Sequence, residues 1–422
     1  MSSPRFAALA PLRHRDYALV FGAAFVSSVG SWLQAVAVGI LVTDLTGKAG
    51  WTGLVAAAAF LPLGLLAPIG GAMADRVDRR RWLLWTTLGE TSFAVALAIL
   101  TASGHISAPL LTLLVLGGGS MTALAVPAFQ AVLPDLVPRE QLLAASSLSL
   151  AQYNLGRVVG PALAGVVLAV GSYTWAFALN AVSFGAVIVA LLLVRLPPAR
   201  EDTEEGGIWS RIVTGARAAR ADPGCRLAIK TIAVVAILMS PFIALVPAFA
   251  LKVFHNGRTG ASVLITAQGV GAVVGALLLA SLAGRFGRRR VLTASIGALP
   301  LTLVGYAAAP NLALGTVALV AVGLAYVGVL SGLGTVVQLR APAELRARIL
   351  SLYMVALGVI YPLGAVVHGF LGDRIGLRAV TAGGAALFGA LVVVARLTRP
   401  QLPLAFDDVA EVAPAPPVAG LI

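Results

Sequence analysis

Residues 71–81 read Gly-Ala-Met-Ala-Asp-Arg-Val-Asp-Arg-Arg-Arg, and this stretch decides how the rest of the chain is interpreted. Every residue from Asp75 to Arg81 is charged except Val77. An uncharged apolar run, 51–74, precedes the charges, and a second apolar run follows over 82–101. A charged segment between two apolar runs of membrane length predicts a tight loop at the water face of a bilayer.

The composition supports a membrane protein. Hydrophobic residues make up 59% of the chain and charged residues 11%, whereas a soluble domain carries about 25% charged residues. The net charge is +13, but the basic residues fall in short loops between apolar runs, so they indicate membrane orientation and not a nucleic-acid surface. The single cysteine, Cys225, excludes an internal disulfide and a cysteine-based metal cluster.

Twelve apolar segments are long enough to span a bilayer, which takes about 20 residues. The predicted spans are 17–43, 51–74, 82–102, 109–133, 142–169, 173–194, 227–250, 260–283, 291–308, 312–338, 349–371 and 379–397. The chain is therefore predicted to be an all-α membrane protein with two pseudo-symmetric six-helix bundles, 1–194 and 227–402. A central cytoplasmic loop, 195–226, separates them and includes a predicted amphipathic surface helix at 208–220. The tail, 403–422, is predicted to be disordered because it lacks apolar content.

Lysine and arginine are distributed unevenly about these spans. If the N-terminus is cytoplasmic, 24 of the 30 basic residues lie in cytoplasmic segments and 5 lie outside. This bias predicts a multi-pass protein of the cell membrane with both termini in the cytoplasm. The arginines at 288–290 follow the eighth span as those at 79–81 follow the second, a repetition typical of transporters built from duplicated halves.

The opening stretch also contains a recognisable loop motif, Gly-x-x-x-Asp-Arg-x-x-Arg-Arg. Together with the six-plus-six arrangement of spans, it resembles the loop motif of the major facilitator superfamily. The resemblance implies that fold. The matching residues are Gly71, Asp75, Arg76, Arg79 and Arg80. Asp78 stands where the family usually has a glycine, and Gly284 replaces the acidic residue in the second half. Asp373-Arg374 is a weaker echo of the motif.

We interpret the motif as a latch between the halves on the cytoplasmic side. Asp75 can accept hydrogen bonds from a helix N-terminus of the opposite half, which the helix dipole favours. Arg79 or Arg80 can pair with Asp135 at the end of the fourth span. Such a cluster would break when the halves rock apart. The alternative is that these charges set only the orientation in the membrane.

The fifth span contains a second motif. Residues 154–165 read Asn-Leu-Gly-Arg-Val-Val-Gly-Pro-Ala-Leu-Ala-Gly. They resemble the superfamily's antiporter motif, with Gly156, Gly160, Pro161 and Gly165 at matching positions. That motif is associated with exporters, so the resemblance implies export. The alternative is ordinary close helix packing, which a Gly-x-x-x-Gly pattern also serves.

Arg157 lies about midway along the fifth span, where a charge costs about 3 kcal/mol. We expect it to face the central cavity, although it could instead clamp helix-end carbonyl groups. Glu90 lies on the third span, about two turns from the predicted cytoplasmic end, and is interpreted as a proton-linked or substrate-linked carboxylate; it could instead reach headgroup water. A direct pair between Glu90 and Arg157 is one possible arrangement. Asn154 shares one side of the fifth span with Arg157 and is a further candidate. Weaker candidates for the cavity are Trp32, Gln34, Gln130, Asn180 and Gln268; single Gln and Asn residues more often bond neighbouring helices. Tyr326, Tyr353 and Tyr361 could line the cavity or pack.

Enzyme signals are absent from the sequence. It contains no Gly-x-x-x-x-Gly-Lys-Ser/Thr and no metal-ligand spacing, so we predict neither an enzyme nor a cofactor, and an ion or substrate gradient must supply the energy. Residues 11–17 and 133–139 resemble the efflux branch that holds enterobactin-exporter-like and macrolide-efflux-like permeases. The resemblance implies a monomeric, proton-coupled antiporter that exports a drug, siderophore or related small molecule by alternating access. The alternatives are an importer, a facilitator or a lipid-moving transporter of this fold, or a transport-dead receptor, which the intramembrane Arg157 disfavours.

Overall fold

The structure of the protein, a computed structural model, describes residues 9–196, 208–342 and 345–407. The side chains at 74, 75, 131, 133, 134, 208–213, 215 and 347 lie outside the described part. Within that part, twelve helices are long and apolar enough to cross a membrane, which confirms the predicted number. The described residues form helices and turns without β-strands, so the predicted all-α membrane architecture is confirmed.

The helices fall into two sets of six. The N-terminal half contains α1 (Arg15–Thr46), α2 (Ala49–Arg76), α3 (Arg79–Ala102), α4 (Ala108–Asp135), α5 (Leu142–Val170) and α6 (Tyr173–Leu193). The C-terminal half contains α7 (Pro223–Lys252), α8 (Gly257–Phe286), α9 (Arg288–Ala308), α10 (Leu312–Arg340), α11 (Arg348–Ile375) and α12 (Leu377–Thr398).

Two helices of the C-terminal half are interrupted by wide turns. α7 has a π-helical turn at Val235–Met239, and α11 has one at Ala356–Ile360. Pro241 and Pro362 follow these turns. Proline lacks an N–H group and clashes with the carbonyl group four residues earlier, so the helix widens just before it. Gly364 lies against the backbone at 237 and the ring of Pro241, so the two interrupted helices touch where they are distorted.

The two ends of the bundle differ in charge, and we name them accordingly. The basic end holds the starts of α3 and α9, with arginines at 79–81 and 288–290. The opposite end holds the connection between α1 and α2. Gly47 ends α1 there with φ at +64°, a left-handed conformation that glycine adopts without the penalty of a Cβ atom. The chain can therefore reverse within two residues.

The halves meet along two seams, α2 with α11 and α5 with α8. On the first seam Gly53 lies against the carbonyl group of Ala365, and a Cβ atom built on Gly64 would lie 2.8 Å from the backbone of Gly358. Small residues let two helix backbones approach this closely. Beyond Gly64, α2 packs on α4, with Gly70 against the backbone of Leu124. The close glycine contacts between α2 and α11 therefore lie between the opposite end and the middle of α2.

The central loop contains the predicted surface helix, which runs over Ile208–Ala221. α7 begins at Pro223, four residues before the predicted start. The Asp222 carboxylate accepts a hydrogen bond from the Cys225 amide at 2.7 Å, and an acidic cap followed by proline is a favoured helix start.

The predicted disordered tail differs from the structure in its first residues. Leu402–Phe406 form a 3₁₀ turn, and the Phe406 side chain is buried against the C-terminal half. Asp407 Oδ2 accepts a hydrogen bond from Arg289 at 2.5 Å. Apolar side chains in this turn supply packing that the prediction overlooked. The tail beyond 407 lies outside the described residues.

Candidate transport site and end contacts

Arg157 occupies the middle of α5 and contacts α1 and α8. Its Nη2 atom donates to Gln268 Oε1 of α8 at 3.1 Å. The guanidinium carbon lies 5.6 Å from the ring centroid of Trp32 on α1. Trp32 meets the Tyr153 ring edge-on, with 6.1 Å between centroids. Arg157 therefore bridges the seam between the halves and pairs there with a neutral amide.

The glycines of the fifth-helix motif place Arg157 by bringing α5 onto α1. Gly156 lies directly against Ser28. A Cβ atom built on Gly160 would lie 2.5 Å from Trp32 Cβ, closer than side-chain packing allows. Gly165 instead lies near Ser262 of α8, at 3.1 Å from its Cβ atom. The motif, in which Pro161 is also buried, thus serves close contact with α1 first and contact with the other half second.

Two further aromatic pairs contain tyrosines on which the charge of Arg157 acts. Its charge interacts with the hydroxyl groups of Tyr326 and Tyr361. Tyr361 meets the Phe60 ring of α2 edge-on at 5.6 Å, and Tyr326 meets Phe242 edge-on at 5.8 Å. The Tyr326 hydroxyl is also 2.9 Å from Ser240 Oγ. The sequence prediction named the two tyrosines but missed Phe60, Phe242 and Ser240.

Two of the missed residues, Ser240 and Phe242, share a feature that the sequence shows. Ser240 and Phe242 flank Pro241, directly after the wide turn of α7. A proline within an apolar run marks a distorted helix, and such distortions often occur at functional sites. Hydropathy alone does not show which side chains the distortion brings together.

Glu90 lies deeper than predicted, because α3 begins at Arg79. Eleven residues of helix place it about 16 Å from that start. Its Oε1 atom accepts a hydrogen bond from Thr122 Oγ1 of α4 at 2.5 Å. Glu90 and Arg157 thus have different partners, and the structure does not join them. The proton-linked role of Glu90 stays a prediction.

The remaining cavity candidates have varied surroundings. Gln34 Oε1 accepts from Asn180 Nδ2 of α6 at 2.9 Å, which joins two helices of the same half. Asn154 donates to the Leu150 carbonyl group of its own helix at 2.8 Å. Gln130 is exposed on α4. Gln268, in contrast, lies beside Arg157 and is 4% exposed, so it is the candidate most closely associated with the central site.

The loop motif forms contacts within the N-terminal half. Arg79 Nη1 donates to Asp135 Oδ2 at 2.9 Å, so this ion pair is present. Arg80 donates to the Leu192 carbonyl group at 2.5 Å. Asp78 caps α3 by accepting from the Arg81 amide at 2.9 Å, which explains an acidic residue where the family has glycine. Gly71 packs near Pro127 and Arg76 is exposed.

The predicted latch residue, Asp75, has its side chain outside the described part. The gating role of the motif therefore stays a prediction.

At the opposite end, Asp373 joins the halves. Its two carboxylate oxygens accept hydrogen bonds from the Ala49 and Gly50 amides, both at 2.7 Å. These are the first amides of α2, where the helix dipole favours an anion. Lys252 Nζ lies 3.0 Å from the same carboxylate. Gly369, four residues earlier on α11, lies against the Ala49 carbonyl group.

A second polar cluster links α1 and α6 to α8 at this end. Asp44 at the end of α1 accepts hydrogen bonds from the Tyr173 hydroxyl and from Arg258 Nε, the latter at 3.4 Å. Arg258 belongs to α8 and lies 4.4 Å from the Tyr173 ring centroid. Asp373 and Asp44 thus each link the two halves at the opposite end.

Two six-helix halves that meet along two seams, with an arginine held between them by an amide and aromatic rings, define a membrane transporter. The chain belongs to the major facilitator superfamily, since the family model described as transmembrane secretion effector matches residues 6–420. The family and the fold are those of transporters and not of enzymes.

Efflux proteins are among the curated relatives. The chain is 25% identical over 361 residues to macrolide efflux protein A of Streptococcus pyogenes, covering 84% of this chain and 88% of that protein. It is 28% identical over 371 residues to the multidrug efflux pump Tap of Mycolicibacterium fortuitum, covering 86% and 90%. It is 31% identical over 194 residues to the enterobactin exporter EntS of Citrobacter koseri, spanning 45% of this chain and 46% of that protein. The predicted efflux branch is confirmed, and by homology this is an efflux-type transporter.

Solved transporters share the fold at low identity. The peptide transporter POT superposes with a TM-score of 0.73 and 14% identity, covering 93% of this chain and 95% of that one. A bacterial homologue of the human lysosomal transporter Spinster, in an inward-facing conformation, gives 0.68 and 15%, covering 93% and 97%. These likenesses concern architecture alone.

Proposed function

We propose that the chain exports a small organic molecule across the cell membrane by alternating access, with the basic end and both termini in the cytoplasm. The observation that supports this best is the distribution of contacts between the halves. Asp373 and Asp44 link the halves at the opposite end, whereas the close glycine contacts between α2 and α11 extend no further toward the basic end than Gly64. We infer that in this orientation the site around Arg157 opens toward the cytoplasm, where an exporter takes its substrate.

Two further lines support the direction and the orientation. The excess of lysine and arginine at the basic end favours the cytoplasmic side for that end. The relatives named as efflux proteins that match over more than four-fifths of their length favour export. The central site lies between two halves of one chain, so a monomer suffices for transport.

We assign proton coupling to Glu90. It is a carboxylate about three helical turns from the start of α3, where charge is costly and protonation removes that cost. The Thr122 hydroxyl holds it between α3 and α4. A proton taken up there would weaken this contact, and protons are therefore the proposed coupling ion.

Uptake by everted membrane vesicles tests export and coupling together. Radiolabelled erythromycin, a macrolide, is the first probe, and ethidium is the second. Export by proton antiport predicts accumulation of a probe inside energised vesicles that contain the protein, and a protonophore should abolish it. Accumulation that persists after the gradient collapses contradicts the antiport, and uptake that occurs only in right-side-out vesicles contradicts the direction.

Glu90→Gln tests the assignment of the proton site. The variant should lose gradient-driven accumulation and retain exchange of labelled for unlabelled probe, because exchange needs no net proton movement. Glu140→Gln, at an exposed carboxylate before α5, is the matched control and should behave as the wild type. Normal accumulation by Glu90→Gln would place proton coupling elsewhere.

A further inference from the structure

Arg157 pairs with a neutral residue, which is unusual for a charged side chain in a membrane interior. Among the residues that the structure describes, the guanidinium pairs with Gln268 and stacks near Trp32, and no carboxylate forms an ion pair with it. Charged groups inside membranes usually pair with an opposite charge or face a substrate pathway. The positive charge between the halves is therefore left for a ligand to balance.

Gln268 strengthens this point because its orientation is fixed. A guanidinium can only donate hydrogen bonds, so the amide must turn its oxygen toward Arg157. Its Nε2 group is then directed elsewhere as a donor. Gln268 is 4% exposed, and Nε2 has no partner among the described residues. Arg157 and Gln268 together offer hydrogen-bond donors and positive charge at one place, and such a set suits an anionic acceptor.

Trp32 lies beside the Arg157 guanidinium, and the charge of Arg157 acts on the Tyr361 hydroxyl group. Trp32 and Tyr153 form one edge-on pair, and Tyr361 with Phe60 forms another on the facing seam. Tyr153 is half-exposed, whereas Tyr361 is largely buried. Faces and edges of this kind favour a flat ring of the ligand next to the anionic group.

We propose that Arg157 and Gln268 form the anion subsite of the transport site, and that the exported molecule carries a carboxylate or similar anionic group beside an aromatic ring. The proposal rests on the proposed export function and specifies its substrate class. Gln268 is a specificity-determining residue in this scheme, because it presents its amide hydrogens only while Arg157 holds its oxygen.

Equilibrium dialysis of the purified full chain in phosphatidylcholine nanodiscs tests the proposal without a gradient. The probes share one ring system and differ in charge: 1-naphthoate, 1-naphthamide and 1-naphthylmethylamine, with empty nanodiscs as background. Charge-assisted hydrogen bonds predict that naphthoate binds about tenfold or more tightly than naphthamide. Acetate at equal concentration should compete poorly, because it lacks the ring.

Gln268→Glu is the decisive variant. The new carboxylate would pair with Arg157 at nearly the same shape, so the fold should persist while the anion subsite is neutralised. Naphthoate affinity should fall about tenfold or more, with a relative gain for the cationic probe. Arg157→Gln should bring the naphthoate-to-naphthamide ratio close to one, and Arg157→Lys should retain part of it. Arg399→Gln, which removes an exposed charge at the end of α12, should change nothing.

The outcomes separate this proposal from export itself. Equal binding of the three probes, no saturable naphthoate binding, or an anion preference that survives Gln268→Glu overturns the anion subsite. A uniform loss for all probes in Arg157→Gln would assign that residue a structural role only. If the charge preference holds but everted vesicles accumulate neither erythromycin, ethidium nor 1-naphthoate, the subsite stands and export fails. If Arg157→Gln leaves the export of an anion unchanged, the export function stands and the anion subsite fails.

Discussion

Replacing Asp373 by asparagine should loosen the opposite end of the transporter. The native carboxylate accepts hydrogen bonds from the Ala49 and Gly50 amides, both at 2.7 Å, and its side chain is 20% exposed. Asparagine retains one acceptor oxygen but loses the charge, the second bond and the contact with Lys252. The contacts join α11 of one half to α2 of the other, so their loss favours states in which this end is open.

The size of the shift follows from these contacts. A hydrogen bond to a charged group contributes about 1.5–3 kcal/mol, and a charge at a helix terminus contributes up to about 2 kcal/mol. Because asparagine keeps one bond, we expect a net loss of about 2 kcal/mol, or about 30-fold in the equilibrium between closed and open. The Lys252 pair, at 3.0 Å with the lysine side chain 35% exposed, is a surface ion pair that contributes about 0.5 kcal/mol. Lys252→Gln should therefore shift the equilibrium only about twofold.

Double electron–electron resonance measures this equilibrium directly. Spin labels at Ser103 and Pro310 report on the opposite end, since both residues are exposed in connections there and belong to different halves. The native Cys225 is buried and is replaced by alanine in every variant. Asp373→Asn should increase the long-distance population, and Arg374→Gln, which removes an exposed charge next to it, should leave the distribution unchanged.

Two results would refute this reasoning. An unchanged distance distribution in Asp373→Asn would mean that the carboxylate does not hold the halves together. A larger shift in Lys252→Gln than in Asp373→Asn would assign the effect to the surface ion pair and not to the helix terminus.

Three further changes have defined expected outcomes. If Asp75 closes the basic end, Asp75→Asn should have the opposite effect to Asp373→Asn, and the short-distance population at the opposite end should grow. Unchanged distances would mean that the loop motif only sets the orientation in the membrane. Gly160→Leu should abolish transport and lower the melting temperature in detergent, because a Cβ atom added there would lie 2.5 Å from Trp32 Cβ. Wild-type melting and uptake would contradict the close contact. Burial alone would raise the pKa of Asp222, but hydrogen bonds from Arg340 and from a backbone amide outweigh it and hold the pKa below its usual range. The stabilisation is therefore complete above about pH 4 and lost as the pH falls below it. Acid should lower the melting temperature of the wild type more than that of Asp222→Asn. Equal acid sensitivity would count against a stabilising pair of Asp222 and Arg340.

The sequence was sufficient for the helices and for part of the site. Apolar runs of about 20 residues must become helices in a bilayer, since every backbone group has to be satisfied within the segment. The motif glycines predicted close packing of α5, and the structure identifies the partner as α1. The wide turns at Val235–Met239 and Ala356–Ile360 were not predicted, because hydropathy does not show how proline distorts a helix.

The sequence alone did not predict the contacts across the seams. The prediction considered Glu90 as a partner for Arg157 because their charges are opposite, but side-chain depth and helix placement give Arg157 the neutral Gln268 instead. Asp373 was only a weak echo of the loop motif in the sequence. Its contact with α2 depends on which helix begins beside the end of α11, and that is a property of the packed halves.

The spacing Gly-x-x-x-Asp-Arg ends two helices of this chain, at 71–76 in α2 and at 369–374 in α11. These helices run antiparallel along one seam, so each acidic residue belongs to the end of the bundle where the other helix begins. Asp373 accepts from the first amides of α2, and a carboxylate near the start of α11 would gain from the same helix dipole. If Asp75 makes that contact, as predicted, closing either end creates one such contact and opening it breaks one. Two closed states that depend on matching polar contacts lie close in free energy, as alternation between them requires, whereas a large apolar contact at one end alone would hold the transporter in a single state.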